Sequence, residues 1–270
     1  MIVYFGPTAV GKSNYVYDLL NRKTFDIVNM DSMQIYKDLN IGTAKPSREE
    51  FSKTTHHLFD IVDPDKNFSV YDYQKLALDL IRSKKEIVFV GGTGLYLNSL
   101  YYDYKFREFK NFDFNNKSNE ELFLELENSY PDLVDKVDKN HRHQLINALK
   151  TGNVYSSNNK IKRDIDIKIN YLSRDRKDIY DRINKRVDKM IEDGLVDEVK
   201  YVVKKYNLNR EHQSMKAIGY REILSYLNSE FSLEEAVELI KKNTRHYAKR
   251  QITWIRNQYN NDYNTINLEE

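Results

Sequence analysis

Hydrophobic and polar positions follow two periods along this chain. Short apolar runs recur in the N-terminal part: Ile2-Val3-Tyr4-Phe5, Asp26-Ile27-Val28-Asn29-Met30 and Glu86-Ile87-Val88-Phe89-Val90. These read as strands buried on both faces, and Leu58-Phe59-Asp60-Ile61-Val62 reads as a weaker one. Helical spacing follows the first strand and returns from about Val70 to Ser83 and from Thr93 to Tyr101. Strands alternating with helices predict a parallel sheet with helices on both faces. The texture changes near Lys105. Phe106 to Ser118 is polar-aromatic and irregular, and Glu120 to Lys150 reads as short helices broken by Pro131. Thr151 to Asp164 reads as an exposed loop, and Asp166 to Leu172 alternates as a strand. From Asp175 onward the pattern is helical, with a break at Asn207 to Arg210 and a loose tail from Asn260.

The predicted fold class is therefore α/β: a P-loop NTPase-like parallel sheet core, a small helical insertion and a helical C-terminal part. The boundaries are 1–104 for the core, 105–164 for the insertion and loop, and 165–270 for the last core strand and the C-terminal helices.

With 270 residues, the chain is long enough for one large domain or one domain with an insertion. It has no cysteine, which excludes disulfides and thiolate metal sites. No apolar run approaches the roughly 18 residues of a membrane span. The first strand begins at Ile2, so no leader is expected. The expectation is a soluble cytoplasmic monomer with no membrane partner. The net charge of +2 hides an uneven distribution. Lys241, Lys242, Arg245, Lys249, Arg250 and Arg256 lie in one stretch with interleaved aromatics and no acid. Such a stretch is a solvated helix face or a nucleic-acid surface.

The first strand runs directly into Gly6-Pro7-Thr8-Ala9-Val10-Gly11-Lys12-Ser13, which is G-x-x-x-x-G-K-[ST] between a strand and a helix. Backbone N–H groups of such a loop wrap phosphate oxygens, Lys12 adds a point charge and Ser13 can hold Mg²⁺. The loop predicts a bound diphosphate or polyphosphate without saying of what molecule.

A P-loop kinase or ATPase carries an acid at the end of a second apolar strand to hold Mg²⁺. Here Glu86 to Val90 ends in Gly91-Gly92-Thr93-Gly94 instead. An acid, Asp31, follows the other strand. Spacing alone leaves Asp31 open as a metal support, a helix cap or a general base.

The residues that follow carry a resemblance. Asp31-Ser32-Met33-Gln34-Ile35-Tyr36-Lys37-Asp38-Leu39-Asn40-Ile41-Gly42-Thr43-Ala44-Lys45-Pro46 resembles the signature of the tRNA dimethylallyltransferase family. The likeness continues through His56 to Pro64, Gly91 to Tyr96, Arg182 to Met190, Ala217 to Glu222 and Thr244 to Trp254, in family order along nearly the whole chain. The resemblance implies transfer of a dimethylallyl group from its diphosphate to N6 of the adenosine immediately 3′ of the anticodon, in tRNAs reading codons that begin with U. It implies that the P-loop residues, Gly6 to Ser13, hold the donor diphosphate, with Mg²⁺ near Ser13 and no nucleotide hydrolysis. It makes Asp31 the base toward N6 and places Thr93 and Arg186 at the donor phosphates or the channel wall. It implies tRNA contacts at Asp31, Ser32, Met33 and Gln34, at His143, Gln144 and Asn147, at Lys216, Gly219, Tyr220 and Arg221, and at Arg245, Lys249 and Arg250.

That chemistry needs these residue types. The lone pair of an exocyclic adenine amine is delocalised into the ring, so a carboxylate must take its proton as the new bond forms. Diphosphate leaves only if its developing charge is met by cations and amides. A base stacked in the anticodon loop must be drawn out into a pocket.

Where the family carries N-D-x-x-R-x-x-R-A-L, this chain has Asn140 to Leu149, with Gln144 and Asn147 in place of both arginines. This predicts an altered tRNA contact, with Arg142 or His143 as the replacement cation. The insertion is also short for the family. His56 and His57 sit beside a strand without metal-ligand spacing and read as structural. The competing readings are a nucleoside or nucleotide kinase, a prenyltransferase of free adenine nucleotides, and a non-catalytic RNA-binding protein.

Overall fold

The computed structural model describes residues 1–83, 86–104, 114, 117–151, 161–259 and 262–268. Its strands are β1 (Ile2–Phe5), β2 (Asp26–Met30), β3 (His56–His57), β4 (Ile87–Gly91), β5 (Lys168–Ser173) and β6 (Asn264–Asn267). Its helices are α1 (Lys12–Leu20), α2 (Arg48–Ser52), α3 (Val70–Ser83), α4 (Gly94–Tyr101), α5 (Asn119–Ser129), α6 (Arg142–Thr151), α7 (Arg176–Glu192), α8 (Leu195–Tyr206), α9 (Tyr220–Leu227) and α10 (Leu233–Gln258). Short 3₁₀ turns occupy Pro131–Lys136 and Gln213–Lys216.

The strands form one sheet in the order β3-β2-β4-β1-β5-β6, and every pairing is parallel. The apolar runs become the central strands because both faces are covered. Val3 aligns with Phe89 on one side and Ile169 on the other, and all three are buried. Beneath α1, Val16, Tyr17, Phe25, Ile27 and Val88 form one core cluster. In such a sheet the ligand crevice lies beyond the carboxyl ends of the strands, where the strand order reverses. Here that position is the end of β1, between β4 and β5, where the P-loop begins.

Two compact units emerge from the contacts: Met1–Asn98 with Ile165–Glu270, and Ser99–Asp164. The second unit has its own core of Leu122, Leu126, Tyr130, Leu133, Leu145 and Leu149. Ser118 and Glu121 form a capping box that starts α5, and Ser232 and Glu235 do the same for the long α10. Among the described residues, no helix is long and apolar enough to cross a membrane.

Two expectations change. The weak strand over 58–62 is not one: only His56–His57 pairs with β2. Leu58 and Asp60 have φ of 62° and 52°, a left-handed backbone that breaks a ladder. The described part of the tail expected to be loose from Asn260 is held in place: Asn264–Asn267 pairs with β5 and Leu268 N–H donates to the Ser173 carbonyl. Of the expected exposed loop over 151–164, residues 152–160 lie outside the described set; Ile161, Lys162 and Asp164 are exposed, and this end is also anchored. Lys162 bridges Tyr102, and the Arg163 guanidinium donates to the carbonyls of Ser99, Leu100 and Tyr102. Most of the irregular stretch 106–118 also falls outside the described residues. The helical break falls at Asn207, which adopts a left-handed φ of 52°.

Candidate functional site

Two pockets meet at the carboxyl ends of β1, β2 and β4. The first is a cleft of ≈ 470 Å³ lined by the P-loop residues Thr8, Ala9, Gly11, Lys12 and Ser13, by Asp31 and Gln34, and by Arg182, Lys185 and Arg186 of α7. Val16, Tyr17, Ile27, Pro46, Phe59 and Val90 supply an apolar wall. The second pocket, of ≈ 290 Å³, is lined by Ser32, Met33, Gly42, Ile183, Val187, Lys216, Gly219, Arg221, Tyr247 and Arg250, among others. Thr8, Asp31, Thr43 and Arg186 line both. One pocket is cationic and bounded by helix-start amides, as an anion site requires. The other opens between cationic side chains, and one carboxylate stands where the two join.

Lys12 is folded into its own loop, donating to the carbonyls of Gly6 (2.9 Å) and Pro7 (2.8 Å). Desolvation pushes its ammonium down to about 7; the Asp31 carboxylate opposes that shift and Arg186 adds to it. Gly6, Pro7 and Val10 are buried and shape the loop without lining the cleft. Ser13 is exposed at the start of α1 and lines the cleft. Among the described residues no cluster of three or more His, Asp or Glu is arranged to hold a metal. A Mg²⁺ ion here would take its ligands from Ser13, water and the phosphate oxygens, a donor set that suits this ion.

Asp31 is fixed from behind. Asn29, fully buried, accepts the Asp31 N–H (2.8 Å) and donates to the carbonyls of Asp31 and Leu58 (both 2.9 Å). The Tyr73 hydroxyl on α3 donates to the Asn29 carbonyl, and its ring stacks on Tyr96 at 3.7 Å. One Asp31 carboxylate oxygen accepts the Met33 N–H (2.8 Å). Thr93 lines neither pocket directly. Its Oγ1 accepts the Ser32 N–H (3.0 Å), and its own N–H donates to the Met30 carbonyl. Burial pulls the Arg186 guanidinium down, Asp31 pulls it back up, and Arg182 reinforces the drop.

Four contributing residues carry bonds that the sequence motifs did not assign to them. Gln251 on α10, buried, accepts the Thr8 N–H (2.8 Å) and donates to the Gly92 carbonyl (2.8 Å), tying the P-loop to the end of β4. A Cβ on Gly92 would lie 2.1 Å from that amide nitrogen and 3.0 Å from the Gly6 carbonyl oxygen, so a larger residue there would displace the Gln251 tie. Tyr247, one turn earlier, is hydrogen-bonded to Thr93 and Gln251; burial and then the Asp31 charge raise its phenol. Arg182 donates to the Ala9 carbonyl (2.8 Å). Asn29 is the fourth. Each is tied to the main chain or to another side chain of the site, and Arg182, Tyr247 and Gln251 also line the pockets. Replacing Gln251 by Leu removes the partner of the half-buried Thr8 N–H and of the buried Gly92 carbonyl, at about 1–3 kcal/mol for the buried group. The expected result is a lower melting temperature and a raised donor KM with tRNA affinity retained, read by calorimetry and steady-state kinetics.

The other sequence-predicted residues divide. Ser32, Met33, Lys216, Gly219, Arg221 and Arg250 line the second pocket. Gln34 lines the first, its amide donated to the carbonyls of Thr43 and Ala44. Tyr220 is fully buried with its hydroxyl on Glu198, so its side chain belongs to the core and lines neither pocket. Arg245 donates to Asn184 Oδ1 on α7 (2.6 Å) and ties two helices together, whereas Lys249 and Arg250 are exposed. His143, Gln144 and Asn147 lie on α6 of the second unit; His143 and Gln144 are exposed, and Asn147 bonds His143 (3.2 Å). Arg142 is exposed, and its guanidinium donates to the carbonyls of Lys117 and Phe114. Trp254 packs its ring against Gly94. His57 pairs with Asp26 and His56 with the Tyr17 hydroxyl, both structural.

A parallel α/β sheet, a P-loop and a carboxylate between an anion cleft and a second pocket define a P-loop-type group transferase. Comparison with known proteins gives the family. The family model described as IPP transferase matches residues 34–258. The tRNA dimethylallyltransferase of Alkaliphilus oremlandii is 39% identical, covering 100% of this chain and 92% of that protein. That of Thermoanaerobacter sp. (strain X514) is 41% identical over 95% and 88%. Among solved structures, the full-length tRNA isopentenylpyrophosphate transferase of Bacillus halodurans is 35% identical with TM-score 0.73, covering 98% of this chain and 89% of that one. A eukaryotic dimethylallyltransferase acting on tRNA is 27% identical with TM-score 0.79, covering 99% and 73%. The chain belongs to the IPP transferase family.

Proposed function

We propose that this chain is a tRNA dimethylallyltransferase that moves a dimethylallyl group from dimethylallyl diphosphate to N6 of the adenosine immediately 3′ of the anticodon. The observation that carries this reading is the shared wall of the two pockets. The P-loop cleft takes the diphosphate, the second pocket takes the base, and Asp31 stands at their junction. As N6 attacks C1 of the donor, the new N–C bond forms and the C1–O bond breaks. Asp31 accepts the N6 proton, and the electron pair leaves on diphosphate. Lys12, Arg186 and the loop amides meet that developing charge, and Mg²⁺ at Ser13 would add to it. Asn29 and the Met33 amide hold the Asp31 carboxylate in place.

The kinase reading leaves the second pocket and its cationic rim without a role. A free adenine nucleotide would fill the pocket but not use Lys216, Arg221, Lys249 and Arg250. The test is incubation with dimethylallyl diphosphate and bulk tRNA lacking the modification, followed by nucleoside mass analysis. N6-dimethylallyladenosine in the tRNA supports the reading; ATP turnover without nucleoside modification sinks it.

Phosphate contacts add affinity without base choice. Removing the charges of Lys249 and Arg250 together should raise the tRNA KM and shallow the salt dependence of binding by roughly 0.7–0.9 in log–log slope per lost contact. The modified nucleoside should stay the same. An unchanged slope in a filter-binding salt titration would remove this face from the RNA interface.

A further inference from the structure

The two walls of the second pocket are joined by one carboxylate. Glu198, in the first turn of α8, accepts the N–H groups of Asn40 (3.0 Å) and Ile41 (2.7 Å) on one oxygen. Its other oxygen accepts the Gly42 N–H (3.1 Å) and the Tyr220 hydroxyl (2.5 Å). The first three groups belong to the loop after β2, whose Gly42 and Thr43 line the pocket. Tyr220 starts α9 and is preceded by the opposing segment, in which Lys216, Ala217, Ile218 and Gly219 line the same pocket.

The loop closes on turn bonds of its own, from Ala44 N–H to the Ile41 carbonyl and from Lys45 N–H to the Asn40 carbonyl (both 3.0 Å), but these do not reach the opposing wall. Asp38 and Ala44 at its ends have φ of 62° and 50°, so it bends sharply at each end. Asp38 is tied to Lys205 and Tyr206 of α8 (both 2.7 Å), the helix that also carries Glu198. The approach is close: a Cβ on Gly42 would lie 2.4 Å from the Tyr220 ring. The ring therefore seats directly on the loop backbone, and the carboxylate locks both.

We propose that Glu198 is a positioning residue for the acceptor: through Tyr220 and the Asn40–Gly42 amides it sets the width of the base pocket, and so the tRNA KM rather than donor binding. The inference rests on the reading that this pocket receives the target adenosine. The donor diphosphate is held by the P-loop, which none of these bonds touches.

The variant is Glu198→Gln. A carboxamide has one acceptor oxygen, so it cannot serve both the Asn40/Ile41 amides and the Gly42 amide. Loss of hydrogen bonds to a charged acceptor predicts a tRNA KM raised roughly 10- to 100-fold. Saturated kcat and the affinity for inorganic diphosphate should change by less than about twofold, a split that general destabilisation would not produce. Tyr220→Phe keeps the ring on Gly42 and loses one bond, so it should shift the tRNA KM in the same direction by less. It also serves if Glu198→Gln fails to fold. Amide hydrogen exchange reads the clamp without activity: faster exchange at 40–42 and 216–221, with the P-loop unchanged, is expected. An unchanged tRNA KM in an active variant, or equal losses in kcat, tRNA and diphosphate binding, would overturn the proposal. Wild-type protein that transfers nothing would instead count against the functional reading, and the exchange pattern would still decide the clamp.

Discussion

Asp31→Asn is expected to lower transfer turnover by ~10²–10⁴-fold, the usual cost of losing a general base. The asparagine keeps an oxygen for the Met33 N–H, now 2.8 Å from the carboxylate, so the turn after β2 survives. What goes is the negative charge and the proton acceptor between the two pockets. Donor and tRNA should still bind, because the P-loop amides and the cationic rim are untouched. Single-turnover transfer beside separate binding titrations of diphosphate and tRNA makes the measurement. Near-normal turnover would remove Asp31 from the role of base. Equal loss of binding and turnover would make it a structural residue.

Lys12→Met is expected to weaken donor binding by roughly 10- to 100-fold, the scale of a charge-assisted hydrogen bond to phosphate, and to leave tRNA binding unchanged. Methionine keeps the stem and deletes the ammonium. The same group makes donor binding pH-dependent. Burial holds Lys12 at about 7 in the free protein, so above that pH it is largely neutral. A diphosphate beside it favours the charged form and raises that value. Binding at pH 8 should therefore take up a proton, and affinity should fall as pH climbs above 7. Stability runs the other way. The unfolded lysine titrates near its ordinary 10.5, so between about 7 and 10.5 the unfolded chain binds more protons than the folded one. Native stability contributed by this group thus rises with pH through that window. Calorimetric titration in buffers of different ionisation enthalpy measures the proton count. Uptake at pH 8 that persists in Lys12→Met would assign it to another group.

The elements that build the site were legible where sequence periodicity and chemistry coincide. Ile2–Phe5 followed by a P-loop has one structural outcome, and Val70–Ser83 is a helix at the expected bounds. The failures share a cause. Asn264–Asn267 is polar and mostly exposed, so the edge strand it forms carries no apolar alternation to read. Leu58-Phe59-Asp60-Ile61-Val62 has strand composition, but the turn is set by long-range partners: Asn29 holds the Leu58 carbonyl and Lys45 pairs with Asp60. The site shows the same division. Groups that would touch ligand sit in contiguous motifs, whereas Asn29, Gln251 and Glu198 act across distances in sequence that no motif spans. Tyr220 shows the converse: a residue inside a family motif whose side chain belongs to the core.

The most direct test of the account is a crystal structure of this chain with an anticodon stem-loop and a non-reactive analogue of dimethylallyl diphosphate. The diphosphate is expected on the amides of Thr8 to Ser13, the adenine 3′ of the anticodon unstacked into the pocket between Met33 and Arg221, and N6 within hydrogen-bonding distance of the Asp31 carboxylate. An adenine bound elsewhere, or N6 facing away from Asp31 with the donor in place, would contradict it.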